Sequence, residues 1–245
     1  EVAQGYRDIS ERSVYVRFRA KDQPDTYYAV WTTTPWTLPS NVALCVNANE
    51  YYVLCEVDGE PDGSPGRPRY IIARELCHRV FGQDARILET YLGSDLLGRE
   101  YEPLYTFGLE GVEKSGRKAY FLVSDPYVTL TDGTGIVHIA PAFGEDDARI
   151  GRANDLPMIQ LVAEDGTMTE EVEGFAGVFV KDADDGLVEL LRRNNLLLSE
   201  EMTEHTYPFC WRCDTPLIYY ARTAWFIEMT KLRGQLLENN DKINW

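Results

Sequence analysis

Apolar and polar residues alternate from residue 14 onward. Val14, Val16, Phe18 and Ala20 fall on one side of an extended chain, and Tyr15, Arg17 and Arg19 on the other. That period of two predicts a half-buried strand. Residues 27–33 and 51–57 are rich in β-branched and aromatic side chains and predict two more. Residues 58–68 hold three glycines and three prolines, the composition of a surface loop or long hairpin end. Residues 74–81 predict a short helix stopped by Gly82. Strands follow over 119–123 and 135–140. The pattern then turns helical. Residues 145–153 carry acids in the first turn, where the helix dipole favours them. Asp182 is placed to N-cap a helix to about residue 194, with Leu187, Leu190 and Leu191 on one face. Residues 224–240 predict a last helix. Strands come first and helices later, without a long βαβ alternation. An α+β, β-rich fold with an antiparallel or mixed, curled sheet is expected.

Composition narrows the function. The chain has 245 residues, 44% hydrophobic and 12% aromatic, enough for a packed core and too much for intrinsic disorder. Its net charge of −16 speaks against a nonspecific nucleic-acid coat, which needs a basic face to displace counterions. A local basic strip remains compatible with that total. No run of about 18 apolar residues suggests a membrane span. Residues 1–19 read as neither signal nor transit peptide. Five cysteines, an odd number, without a secretory segment point to a reduced, cytoplasmic compartment.

Three segments carry candidate chemistry. Trp31-Thr32-Thr33-Thr34-Pro35-Trp36-Thr37-Leu38-Pro39-Ser40-Asn41 concentrates hydroxyls that donate and accept hydrogen bonds at a strand end broken by Pro35. By composition alone it reads as a threonine-rich strand end with two packed tryptophans. Asp132-Gly133-Thr134-Gly135 permits a tight turn into the strand bearing His138, and Asp147 follows in the first turn of the next helix. A lone strand histidine is more often structural, and no Gly-Lys-Ser/Thr makes this a phosphate loop. Cys210-Trp211-Arg212-Cys213 is half of a zinc ribbon, since a structural zinc needs four ligands. Cys45, Cys55 and Cys77 have no second such spacing, and no thioredoxin-like context supports a redox motif. There is no Gly-x-Ser-x-Gly elbow and no His-Glu-x-x-His, so a hydrolase would use water directly.

Together, the threonine segment, the run Gly133 to Asp147 and His205-Thr206-Tyr207-Pro208-Phe209-Cys210-Trp211-Arg212-Cys213 resemble the editing domain of isoleucyl-tRNA synthetases, in order and over essentially the whole chain. Valyl and leucyl relatives typically carry Thr-Thr-Arg-Pro at the first segment and lack a histidine at the position of His138. The family's His-Ile-Gly-His and Lys-Met-Ser-Lys-Ser signatures are absent, so no aminoacylation is expected. Family members often have histidine at Phe209.

The resemblance implies a barrel-like editing fold with peripheral helices over residues 1–205. Residues 206–245 would be a half zinc ribbon and a segment returning toward the parent's catalytic domain. It implies an aminoacyl-tRNA deacylase acting on valine wrongly attached to the 3′ end of tRNA(Ile), and on valyl-adenylate as a further substrate. One methylene in an apolar pocket is worth only about 1–3 kcal/mol, a magnitude established on enzymes of this same family. A second, size-selective site is therefore needed. Catalytic roles fall to His138, Thr34 and Thr33, with His138 limiting side-chain size. Asp147 would bind the α-ammonium, and Thr32, Trp36 and Thr37 would complete the substrate wall. Editing would need no cofactor. Zinc would belong to the parent enzyme, with Cys210 and Cys213 as two of its ligands. The rival readings are an acidic, β-rich docking module without catalysis and a free-standing deacylase.

Overall fold

Two open sheets, not a barrel, organise the protein in this computed structural model, which describes residues 5–244. Residues 1–4 and 245 of the two expected units lie outside the described residues. The strands are β1 (Tyr6–Arg19), β2 (Thr26–Thr32), β3 (Ala43–Val46), β4 (Tyr51–Glu56), β5 (Arg69–Ala73), β6 (Arg86–Leu92), β7 (Phe121–Ser124), β8 (Val137–Ile139) and β9 (Leu197–Pro208). The helices are α1 (Cys77–Phe81), α2 (Leu109–Ser115), α3 (Glu145–Ala153), α4 (Val180–Arg193) and α5 (Met229–Asn240). The larger sheet has the order β6-β4-β5-β2-β1-β9 and the smaller β7-β3-β8. Both are mixed: β2 runs parallel to β5 and β3 parallel to β7, and the remaining pairs are antiparallel. The expected barrel closure fails because β6 and β9 end the larger sheet without meeting.

β1 is more deeply set than its alternation predicts. From Val14 to Phe18 both faces are buried. Arg17 is tolerated there because its guanidinium sits 4.2 Å from the Tyr27 ring, pairs with Glu60 at 2.8 Å and donates to the Asn195 carbonyl at 2.7 Å. A buried charge needs such partners.

The long strand β9 was not expected from sequence. Its residues are mostly polar and half of it is exposed, since it forms the sheet edge. Pairing with β1 from Tyr6↔Pro208 to Val16↔Leu197, not hydrophobic alternation, makes it a strand. Its acidic side chains discourage further pairing at that edge. The boundary expected after residue 205 lies inside this ladder. In α4, Phe179 occupies the N-cap and Asp182 lies in the first turn, correcting the expected cap. Among the described residues, no helix is long and apolar enough to cross a membrane.

Candidate active site

The crossover between the sheets builds the site. β2 ends at Thr32, and Pro35 opens a 3-10 turn over Pro35–Ser40 whose six residues are all buried. The chain then enters β3 in the other sheet. α4 packs against this turn, and β8 meets β2 at the same seam. β8 is aimed there by Gly133 and Gly135, both at positive φ. A Cβ on Gly135 would overlap the Ala73 side chain, and one on Gly133 would press the Trp31 ring, so glycine is required sterically as well as conformationally.

His138 and the threonines form one network. Thr37 Oγ1 donates to the Thr34 carbonyl at 2.8 Å. Its single proton is thereby used, so Thr37 Oγ1 accepts from His138 Nε2–H at 3.2 Å. Thr32 Oγ1 is 3.3 Å from the same nitrogen, and the Thr34 amide donates to Thr32 Oγ1 at 3.1 Å. Among the described residues, Nδ1 has no hydrogen-bond partner. Burial disfavours the imidazolium and pushes the His138 pKa down to about 4. At neutral pH this ring is uncharged. In this tautomer Nε2 already carries its proton, and Nδ1 is buried away from solvent. The ring is thus held neutral between Thr32 and Thr37 at the edge of the cleft, with its unprotonated nitrogen turned away from solvent.

Asp147 stands across the cleft in the first turn of α3. Its Oδ1 accepts from the Ala140 amide at 2.8 Å. A Cβ on Gly144 would overlap Oδ2, so the carboxylate rests on a glycine that leaves it room. Burial, opposed by the Ala140 amide and helped by the charge of Asp146, raises the Asp147 pKa from 3.8 to about 6. It is a carboxylate at neutral pH, desolvated enough to favour a cation.

Between these walls lies an open cleft of about 490 Å³ that brings together Thr32, Thr33, Thr34, Thr37, His138 and Asp147. Six of the seven residues expected at the catalytic and substrate positions therefore meet. Trp36 does not. It is only 3% exposed and lies beneath the floor, edge-on to Phe143 at 5.3 Å. The aromatic lining comes instead from Trp31, Tyr127, Phe143 and Tyr219. Trp31 was visible in the threonine segment, but the parity of a strand followed by a 3-10 turn decides which tryptophan faces the cleft. A second hollow of about 640 Å³ continues past Trp31, Thr33, Tyr127 and Val137, so the two form one groove.

Cys210 and Cys213 lie on the turn after β9, away from this cleft. The Cys213 thiol is 3.1 Å from Thr215 Oγ1, and that contact holds its pKa below the usual thiol value. Among the described residues no three His, Cys, Asp or Glu side chains converge on a point that could hold a metal. Two thiols supply half of a tetrahedral set.

No protein-family model matches the chain. Over all 245 residues it is 46% identical to an isoleucine–tRNA ligase of Clostridium novyi (strain NT), of which it spans 22%. It is 42% identical over the same length to the isoleucine–tRNA ligase of Thermoplasma acidophilum, again 22% of that protein. The chain thus spans about a fifth of the curated relatives it matches. Among solved structures, the editing domain of the P. knowlesi cytosolic leucyl-tRNA synthetase superposes with a TM-score of 0.58 at 12% identity, covering 82% of this chain and 99% of that one. The corresponding P. falciparum domain gives 0.56 at 11% identity over 77% of this chain and 98% of that one. At such identities the likeness establishes the fold.

Proposed function

We propose that this chain, similar over its whole length to one segment of isoleucine–tRNA ligases and folded as a synthetase editing domain is, hydrolyses the ester joining valine to the 3′ end of tRNA(Ile). The observation that carries the reading is the pairing of one desolvated carboxylate with a wall of threonine hydroxyls across a water-accessible cleft. Asp147 receives the α-ammonium and fixes the aminoacyl group. The hydroxyls of Thr34, within the network, and of Thr33, which lines the cleft beside it, hold the attacking water and donate to the oxygen that gains charge in the transition state. Thr32 and Thr37 hold His138, whose ring limits the depth available to the side chain. Valine fits above it, and the extra methylene of isoleucine meets it. The groove continuing past Trp31 and Thr33 accommodates the terminal nucleoside. The reaction in this reading uses no cofactor. The parent's remaining domains supply further tRNA contacts and the zinc ligands that complete Cys210 and Cys213, and the parent acts in the cytoplasm.

The test is deacylation of Val-tRNA(Ile) and Ile-tRNA(Ile) by the purified chain and, in parallel, by a full-length ligase containing it. Faster release of valine than of isoleucine supports the reading. Absence of valine release in both settings removes it and leaves a docking module. A His138→Ala variant that then releases isoleucine as well identifies the wall. Loss of both hydrolyses without unfolding assigns His138 a direct part in the chemistry instead.

A further inference from the structure

The segment after β9 returns to the cleft and is pinned there. The Leu217 amide donates to the Pro208 carbonyl at 3.0 Å, and the Ala221 amide donates to the Ala142 carbonyl at 2.9 Å. Gln160 Nε2 donates to the Ala221 carbonyl at 3.1 Å. Between these anchors the chain has no regular secondary structure, but its side chains alternate. Ile218 and Tyr220 turn inward and pack against the core, with the Tyr220 ring 6.5 Å from Phe143. Tyr219 turns outward, 61% exposed, and lines the cleft. Because Tyr220 leans on Phe143 and Ala221 is bonded to Ala142, Tyr219 stands on the wall formed by the turn from residue 140 to 147. That is the wall that presents Asp147. The backbone on either side of this exposed ring is fixed, which confines the ring to the mouth of the cleft.

We infer that Tyr219 contacts the substrate, its ring covering the α-ammonium held at Asp147. This rests on the deacylase reading above. A carboxylate covers only part of an ammonium and leaves the rest to water. A ring face beside the carboxylate attracts the cation and displaces some of that water. The same wall carries Glu145 and Asp146 as well as Asp147, and although Arg149 pairs with Asp146 at 2.9 Å the three acids outnumber it, so the wall favours a cation over a phosphate, which places the ammonium rather than the nucleotide's charged end beside Tyr219. The phenol hydroxyl has no part in this role. The contact is made equally in the ground and transition states, so it acts on binding and not on the chemical step.

Three variants and two probes test the inference. Tyr219→Phe keeps the ring, Tyr219→Leu keeps bulk without a π face, and Tyr219→Ala removes both. In deacylation of Val-tRNA, the Leu and Ala variants are expected to raise KM about five- to tenfold with kcat nearly unchanged, and Phe to match wild type. Binding is measured with a nonhydrolysable valyl-amide of 3′-amino-3′-deoxyadenosine and with its analogue lacking the α-amino group. Weakened binding of the first probe alone supports the inference. Equal weakening of both assigns Tyr219 to the nucleoside or the side chain and overturns it, as does no weakening of either. If wild type hydrolyses Val-tRNA and the variants behave as wild type, only this inference is lost. If wild type does not, the deacylase reading itself has failed.

Discussion

Residues 26–46 and residues 222–244 contain similar apolar and aromatic side chains with opposite fates. In the first stretch almost every side chain is buried, including Trp36, Leu38 and Leu44. In the second, Trp225 is fully exposed, and Phe226, Ile227, Leu236 and Leu237 are largely so. The difference is one of partners. β2 and β3 each have a strand on both sides, and the turn between them has α4 beneath it. Among the described residues, α5 has no buried side chain. Hydrophobic pattern therefore predicts an element in both stretches, but only a neighbouring element converts it into core. The cleft sits in the stretch where that conversion is complete, as a site needs fixed side chains.

The largest effect that would break this comparison is in the core. Leu44→Ala, in the middle strand of the smaller sheet opposite His138, is expected to cost about 2–5 kcal/mol by leaving a cavity. Urea unfolding reads it directly. A loss below about 1 kcal/mol would show that the smaller sheet is loosely packed and that the cleft floor is not rigid.

Next comes the cleft itself. Asp147→Asn removes the counter-charge proposed for the ammonium while keeping an acceptor for the Ala140 amide. Deacylation of Val-tRNA should fall in kcat/KM by about ten- to a hundredfold, the range of one charged hydrogen bond. The same carboxylate sets an acid limb. Activity should decline as pH drops through about 6, where Asp147 takes up its proton. His138, already neutral down to about 4, should contribute no limb between pH 5 and 8. A pH–rate profile with its break near 6.5 that disappears in His138→Ala would reverse that assignment.

Much of the cleft's lining was legible because the residues that form it are close in sequence. Thr32 to Thr37 are adjacent in sequence, and Asp147 follows His138 by a strand end and one helical turn. What escaped notice depends on distant partners. β9 lacks apolar alternation and is a strand only through β1. Trp36 and Trp31 are equivalent in composition, and the turn geometry separates them. Tyr219 reaches the cleft through hydrogen bonds at Ala142 and Gln160, which no spacing reveals. Barrel closure likewise depends on whether two edge strands meet, and β6 and β9 carry nothing in sequence that says so.

A smaller effect sharpens the role of α4 under the threonine turn. Asp184 faces the Trp36 amide, and burial raises its pKa from 3.8 to about 7 despite Lys181 and Arg12; Glu11 adds to the rise. Its Oδ1 is buried and, among the described residues, without a hydrogen-bond partner. The folded protein binds a proton here that the unfolded chain releases above 3.8. Stability from this group is therefore full below pH 3.8 and is lost as pH rises through about 7. Asp184→Asn should stabilise the fold by roughly 1–2 kcal/mol at pH 8, discounting for partial exposure, and by much less at pH 5. Equal effects at the two pH values would mean that Asp184 is ionised throughout.

The smallest expected effect lies in the tail. Trp225→Ala and Leu237→Ala remove large apolar groups from a stretch that buries almost nothing. A core tryptophan or leucine would cost several kcal/mol on truncation, because the transfer energy is lost and a cavity remains. An exposed one loses neither, and surface substitutions stay within about ±0.5 kcal/mol. For a chain of this length, that corresponds to a melting shift of less than about 2 °C. The same variants should leave Val-tRNA deacylation unchanged, because the strap holding Tyr219 is anchored upstream at Ala221. A melting loss of more than about 4 °C in either variant would mean that the tail packs against the sheets in solution, and the contrast between the two stretches would disappear.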